Sequence, residues 1–137
     1  MDYQPKYLGS RSGEPVDTLD LIPWDGAAIS ITLTCTEFTS LCPVTRQPDF
    51  GEITVVYQPD RHIIETKSMK LYLMQYRNTG VFSECLVDTI ADDLWAQVKP
   101  RYLAVKGAFK SRGGIQITAE AERPVSGPEG SGKQAAT

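Results

Sequence analysis

The sequence predicts an α+β fold: an antiparallel four-stranded sheet with two helices on one face, in the order ββααββ. Three observations carry this. Apolar and polar residues alternate with period two on both sides of the chain's middle, the pattern of half-buried strands. The middle itself is rich in helix formers, with apolar residues at helical spacing. Consecutive strands are joined by short connections, so they pair as hairpins and leave both helices to cover one face.

Residues 1–25 hold Pro5, Gly9, Gly13 and Pro15 and show little periodicity. They read as an extended arm that lies on a neighbouring subunit or stays mobile. The core is expected over 26–123. Its first strand spans 28–36, with Ile29, Ile31, Leu33 and Cys35 on one face and Ser30, Thr32, Thr34 and Thr36 on the other. Cys35 reads as core. The second strand spans 52–58, with Ile53, Val55 and Tyr57 on its apolar face, and Pro59-Asp60 ends it. His62 follows, as a surface residue of the connection.

From Lys67 to Asn78 the period becomes helical, and Asn78-Thr79-Gly80 supplies a stop. Ser83 is a candidate N-cap for the second helix, with Glu84 in its first turn. Phe82, Cys85, Leu86, Ile90, Leu94 and Val98 recur at helical spacing, so Cys85 too reads as core, and Pro100 closes the helix. Tyr102 to Lys110 alternates weakly. Ser111-Arg112-Gly113-Gly114 signals a hairpin turn. Ile115, Ile117, Ala119 and Ala121 then form the apolar side of the last strand. Residues 124–137, rich in Gly, Ser, Pro and Ala, read as a disordered tail. Gly127, Gly132 and Lys133 within it have the Walker A spacing. Gln134 follows instead of Ser or Thr, and no strand leads in, so no phosphate loop is expected.

Length and composition bound the function. At 137 residues the chain is one domain, 1–137. A net charge of −3 argues against an electrostatic nucleic-acid binder. No apolar run has the length of a membrane span, and the first residues lack the apolar stretch of a signal peptide. Three cysteines without close pairs make no disulfide framework, so a cytoplasmic setting is expected. Cys35, Cys42, Cys85 and His62 match no standard zinc spacing, and no metal site is expected. The four-stranded sheet has two open edges; pairing them between subunits is one way to protect them, and a homo-oligomer is expected on that ground.

The two strands before the helices are joined by Leu41-Cys42-Pro43-Val44-Thr45-Arg46-Gln47-Pro48-Asp49-Phe50-Gly51. Each proline fixes its own φ and restricts the residue before it, so this loop should be stiff. A stiff loop holding a thiol and a carboxyl is suited to a preorganised site, although a cysteine without context is more often a small buried apolar residue. A free thiol, with a pKa of about 8.5, is only a few per cent thiolate at neutral pH. Asp49 can take or deliver a proton beside it. That suits addition of sulfur to an unsaturated carbon, with Asp49 protonating the developing anion.

A second cluster is Glu65-Thr66-Lys67-Ser68-Met69-Lys70-Leu71-Tyr72. Lys67, Ser68 and Lys70 open a helix, whose N-terminal amides favour anions such as nucleotide phosphates; the plainer reading is a solvated helix face. Glu84 has two readings as well. Its carboxylate can pair with adjacent N–H donors of a guanine-like base, or merely offset the helix dipole.

Together these residues resemble the NADPH-dependent 7-cyano-7-deazaguanine reductases, the short single-domain nitrile reductases of queuosine biosynthesis. The stretch Cys42 to Gly51 matches that family's catalytic loop, and Glu65 to Tyr72 is similar to its NADPH signature. The resemblance runs from Leu33 to Glu122. It implies a tunnelling fold whose subunits assemble into an oligomeric barrel, with active sites at subunit interfaces. It implies that Cys42 forms a covalent thioimide with the nitrile, that Asp49 is the proton donor, and that Glu84 recognises the deazaguanine ring. Glu65, Thr66, Lys67, Ser68 and Lys70 would bind NADPH. Ser83 stands where the family usually has histidine; it can hydrogen-bond in the substrate pocket but cannot act as a base near neutral pH. Arg46 stands where glycine is common. Two relatives of the same fold are alternatives. The GTP cyclohydrolases need Cys-x-His, where this chain has Cys42-Pro43-Val44. The amidinotransferase branch keeps the cysteine and aspartate but lacks the NADPH signature. A non-reducing purine-binding module is the non-enzymatic reading.

Overall fold

The computed structural model describes residues 3–10 and 13–125. The expected tail from residue 126 on, and the Walker-like spacing in it, lie outside the described residues. The elements are strands β1 (Leu21–Pro23), β2 (Ile31–Leu41), β3 (Pro48–Gln58) and β4 (His62–Ile64), helix α1 (Thr66–Met74) continued by a 3-10 turn (Gln75–Asn78), helix α2 (Ser83–Val98), and strands β5 (Tyr102–Phe109) and β6 (Thr118–Arg123). The main sheet is antiparallel with order β2-β3-β5-β6, and β1 pairs with β4 in a separate two-stranded ribbon.

Alternation sets the inner face. On β3, Ile53, Val55 and Tyr57 are buried, and Leu103, Val105 and Phe109 of β5 join them under the helices. Helix α2 buries Leu86, Val87, Ile90, Ala91, Leu94 and Val98 against the sheet. Lys99 ends it in the left-handed region at φ 53°. Arg123, at the end of β6, is buried and staples the sheet to α2: its Nη2 donates to Asp88 Oδ1 at 2.7 Å and to Asp92 Oδ1 at 2.8 Å.

The structure departs from the sequence reading at several places. The first two strands of the main sheet run further into their connection than expected: β2 ends at Leu41 and β3 starts at Pro48. A proline is tolerated at the first position of a strand. Asp49 therefore belongs to β3 and not to the loop, which shrinks to 42–47. The arm is not loose along its described length. Leu19 and Asp20 are buried. The Asp20 carboxylate accepts from the Lys6 and Tyr7 N–H groups at 2.7 and 2.9 Å, and β1 pairs with the strand that carries His62. Cys85 is exposed. At 100° per residue the buried stripe of α2 runs through Val87 and Ala91, which leaves Cys85 on the opposite side. Ser83 is the first residue of α2, with Phe82 at the N-cap. Ile115 and Ile117 precede β6 and are exposed, so they are not core. Cys35 is half-buried.

Candidate active site

The site is built where β2 ends and β3 begins. Cys42 follows directly on β2, and its N–H donates to the Gln47 carbonyl at 2.9 Å while its carbonyl accepts from Arg46 N–H at 3.0 Å. This closed turn puts Arg46 in the left-handed region at φ 63°, where a residue without Cβ is unstrained. The turn also aims donors at sulfur. Thr45 N–H lies 3.5 Å from Cys42 Sγ. The Thr45 hydroxyl foremost, then the Thr45 and Val44 N–H groups and the Arg112 guanidinium, pull the thiol down to about 7, against a smaller opposing effect of burial. The thiol is thus closer to half ionised at neutral pH than the sequence alone implies.

Asp49 sits across the strand pair from Ser40. Its Oδ1 accepts from Arg112 Nη1 at 2.6 Å, with 12 % of the Asp49 side chain and 47 % of the Arg112 side chain exposed. Arg112 is carried by the β5–β6 turn, where Arg112 and Ile115 exchange two backbone hydrogen bonds around Gly113 and Gly114 at φ 59° and 80°. Both positions need the freedom of glycine. Sequence reasoning treated 111–114 only as a turn and missed Arg112. The signal was the pair of glycines, which fixes the turn tightly enough to aim a side chain.

Glu84 is brought in by the backbone. Leu41 N–H donates to the Thr79 carbonyl at 3.1 Å, and Val81 N–H donates to the Leu41 carbonyl at 3.0 Å. These bonds lash the approach to α2 onto the end of β2, beside Cys42. Gly80 lets the two segments approach closely there: a Cβ would lie 3.2 Å from Pro43 Cα, a tight contact. The result is a cleft of about 300 Å³ lined by Cys42, Asp49, Ser83, Glu84, Lys110 and Arg112, with Phe82, Phe109, Ile115 and Ile117 as apolar walls. Four of the site residues read from the sequence, Cys42, Asp49, Ser83 and Glu84, therefore meet in one cleft. A thiol, two carboxylates and two cations over apolar walls can capture an electrophilic carbon on a flat polar ring.

The second cluster lies elsewhere. The Glu65 carboxylate accepts from the Lys67 N–H at 2.7 Å and the Ser68 N–H at 2.9 Å. The α1 N-terminus is thus capped by the chain's own carboxylate, which corrects the expectation that its amides stand open to a phosphate. Ser68 is fully buried; its Oγ donates to the Glu65 carbonyl at 2.7 Å and accepts from the Asp20 N–H at 3.0 Å. Lys67 Nζ donates to the Ser10 carbonyl of the arm. Thr66 and Lys70 instead line a separate cavity of about 360 Å³, together with Arg77 and the apolar side chains of Leu33, Met69 and Leu73. Arg77, in the 3-10 turn, was not anticipated. The two cavities share no lining residue.

Residues 48–126 match a family model described as QueF-like protein. Asp49, Ser83, Glu84 and Arg112 fall inside the matched span, and Cys42 lies just before it. The chain is 56 % identical over 86 residues to an NADPH-dependent 7-cyano-7-deazaguanine reductase of Bdellovibrio bacteriovorus, covering 63 % of this chain and 51 % of that protein. It is also 56 % identical over 87 residues to the reductase of the same description from Helicobacter pylori strain G27, covering 64 % of this chain and 59 % of that protein. The match thus spans between half and three fifths of these relatives' length. Among solved structures, the crystal structure of the archaeosine synthase QueF-Like in the apo form superposes with a TM-score of 0.65 at 20 % identity, over 76 % of this chain and 100 % of that one. That likeness speaks to the fold.

Proposed function

The chain belongs to the QueF-like family, and from that premise we propose that it reduces the nitrile of 7-cyano-7-deazaguanine to an aminomethyl group, as a step in making queuosine for tRNA. The observation that carries the reading is the single cleft holding Cys42, Asp49 and Glu84, in a chain so similar to two reductases. In this reading Glu84 accepts hydrogen bonds from adjacent N–H groups of the deazaguanine ring, and Ser83 hydrogen-bonds beside it. The apolar walls sandwich the flat ring. Cys42 Sγ then lies against the nitrile carbon.

As the sulfur–carbon bond forms, one C≡N π pair moves to nitrogen. The Cys42 proton passes to the Asp49 carboxylate and from there to that nitrogen, giving a thioimide with no net loss of atoms. NADPH, when bound, would supply two hydrides in all, one to the thioimide carbon and one to the imine carbon left after sulfur departs, and with each the nitrogen takes a proton through Asp49, which solvent reprotonates. After the first reduction, collapse of the thiohemiaminal breaks the S–C bond and returns Cys42 as thiolate. A thiol held near neutral pKa is a competent leaving group as well as a nucleophile.

The residues present fit a phosphate-bearing cofactor at the second cavity. Lys70, Arg77 and Thr66 are among its lining residues, with Glu37 as the one acid, and cations and hydroxyls are what phosphates take. Lys67 would join them by leaving the Ser10 carbonyl. Glu65 and Ser68 serve this site indirectly, by shaping the helix start. Within one chain these cations open on a different cavity from Cys42. The hydride must reach the thioimide carbon, so a homo-oligomeric tunnelling-fold barrel, in which one subunit's α1 faces another's Cys42 cleft, accounts for the separation.

The test is NADPH oxidation with 7-cyano-7-deazaguanine, counted against product. Two NADPH per aminomethyl product support reduction. A thioimide signal without NADPH oxidation would assign the chain to a non-reducing role, such as the amidinotransferase-like or purine-binding alternatives.

A further inference from the structure

Ser40 is 1 % exposed, and its Oγ has no hydrogen-bond partner among the described residues. Burying a hydroxyl unpaired carries a cost that alanine would avoid. The residue stands at a telling position. In the β2–β3 register Ser40 is directly opposite Asp49. Opposed residues of an antiparallel pair project from the same face, with their Cβ atoms about 5 Å apart. Phe38 and Gly51 form the next pair toward the core on that face. The hydroxyl is therefore on the inner side of the strand pair that ends in Cys42, within a side-chain rotation of the Asp49 carboxylate.

Asp49 has acceptor capacity to spare. A carboxylate accepts at two oxygens, and among the described residues only Oδ1 is bonded, to Arg112 at the cleft mouth. Arg112 is the half-exposed partner of that pair and lines the same cleft as Cys42 and Glu84, within reach of a substrate held there.

We infer that Ser40 is a positioning residue for Asp49: when substrate loosens the Arg112 contact, the carboxylate turns inward and accepts a hydrogen bond from the Ser40 hydroxyl. That bond holds the carboxylate beside Cys42 while it relays the proton from sulfur to nitrogen. No proton passes through Ser40. The inference rests on the nitrile-capture reading for its chemistry, and on the strand register alone for its geometry.

The test compares wild type with Ser40→Ala, Ser40→Thr and Arg112→Ala. Ser40→Ala should melt at or above the wild-type temperature, because the resting chain loses no hydrogen bond. It should form the thioimide roughly tenfold more slowly, the effect of losing one hydrogen bond to a charged group, with the pH profile displaced. Nitrile affinity, measured in a Cys42→Ala background, should stay within about twofold. Ser40→Thr should recover the rate. An unchanged thioimide rate in Ser40→Ala overturns the inference. So does a rate loss that tracks a lower melting temperature and is not recovered by threonine. A crystal structure of Arg112→Ala decides the geometry without any activity: Asp49 within hydrogen-bond distance of Ser40 Oγ supports the inference, and Asp49 turned to solvent overturns it. Absence of a thioimide in wild type would count against the nitrile reading alone, and the Arg112→Ala structure would still decide the role of Ser40.

Discussion

Removing the Thr45 hydroxyl should raise the titration midpoint of Cys42, because that group is the main donor holding the thiol at about 7. Donors favour the thiolate, so losing one favours the thiol and moves the midpoint up. A rise of one unit cuts the thiolate at pH 7 from about half to about a tenth. Thr45→Val should therefore slow alkylation of Cys42 by iodoacetamide several-fold at pH 7 and little at pH 9, read on the Cys42 peptide by mass spectrometry. Equal rates at pH 7 would discount the hydroxyl. Arg46 gives a second test at this scale. Its φ of 63° strains a residue with a Cβ, so Arg46→Gly should stabilise the fold by roughly 1 kcal/mol, seen as a higher denaturation midpoint. The sequence shows an arginine at position 46. It did not show that the backbone there is left-handed, because that follows from the turn closing on the Cys42 and Gln47 backbone.

At the scale of elements, the start of α1 separates two roles for Glu65. As a buried cap, Glu65→Ala should cost about 1–2 kcal/mol in denaturant unfolding with no ligand present. A residue that only contacts cofactor would leave that value unchanged. The strand and helix order was legible because alternation and helical spacing persist over whole elements. What the pattern missed depended on contacts far apart in sequence. The pairing of Leu21–Pro23 with His62–Ile64 joins an arm to a connection, and neither shows a period. Cys85 sits at a spacing that matches Leu86 to Val98 by count, yet the inner face of α2 was fixed by Val87 and Ala91. The candidate residues Cys42, Asp49, Ser83 and Glu84 were readable from local motifs. Arg112 and Ser40 were not, since one depends on a turn folding back across the sheet and the other on register.

For the whole molecule, the outer sides of the edge strands β2 and β6 pair with no further strand among the described residues, and the two cavities are separate. An assembly that completes each site from two subunits makes a specific prediction. Cys42→Ala and Lys70→Ala subunits, each weak alone, should regain NADPH oxidation when unfolded together and refolded as a mixture. Only a mixed interface then pairs an intact Cys42 cleft with an intact Lys70. No recovery, in a mixture shown to exchange subunits, would return both groups to one chain. No helix among the described residues is long and apolar enough to cross a membrane. The central claim is that Cys42 captures the nitrile and that NADPH releases it reduced. Intact-mass spectrometry tests this most directly: with 7-cyano-7-deazaguanine alone, the protein should gain the full mass of the nitrile at Cys42, and NADPH should discharge that adduct as the aminomethyl product. An unmodified Cys42 in the presence of bound nitrile, or an adduct that NADPH leaves in place, would contradict it.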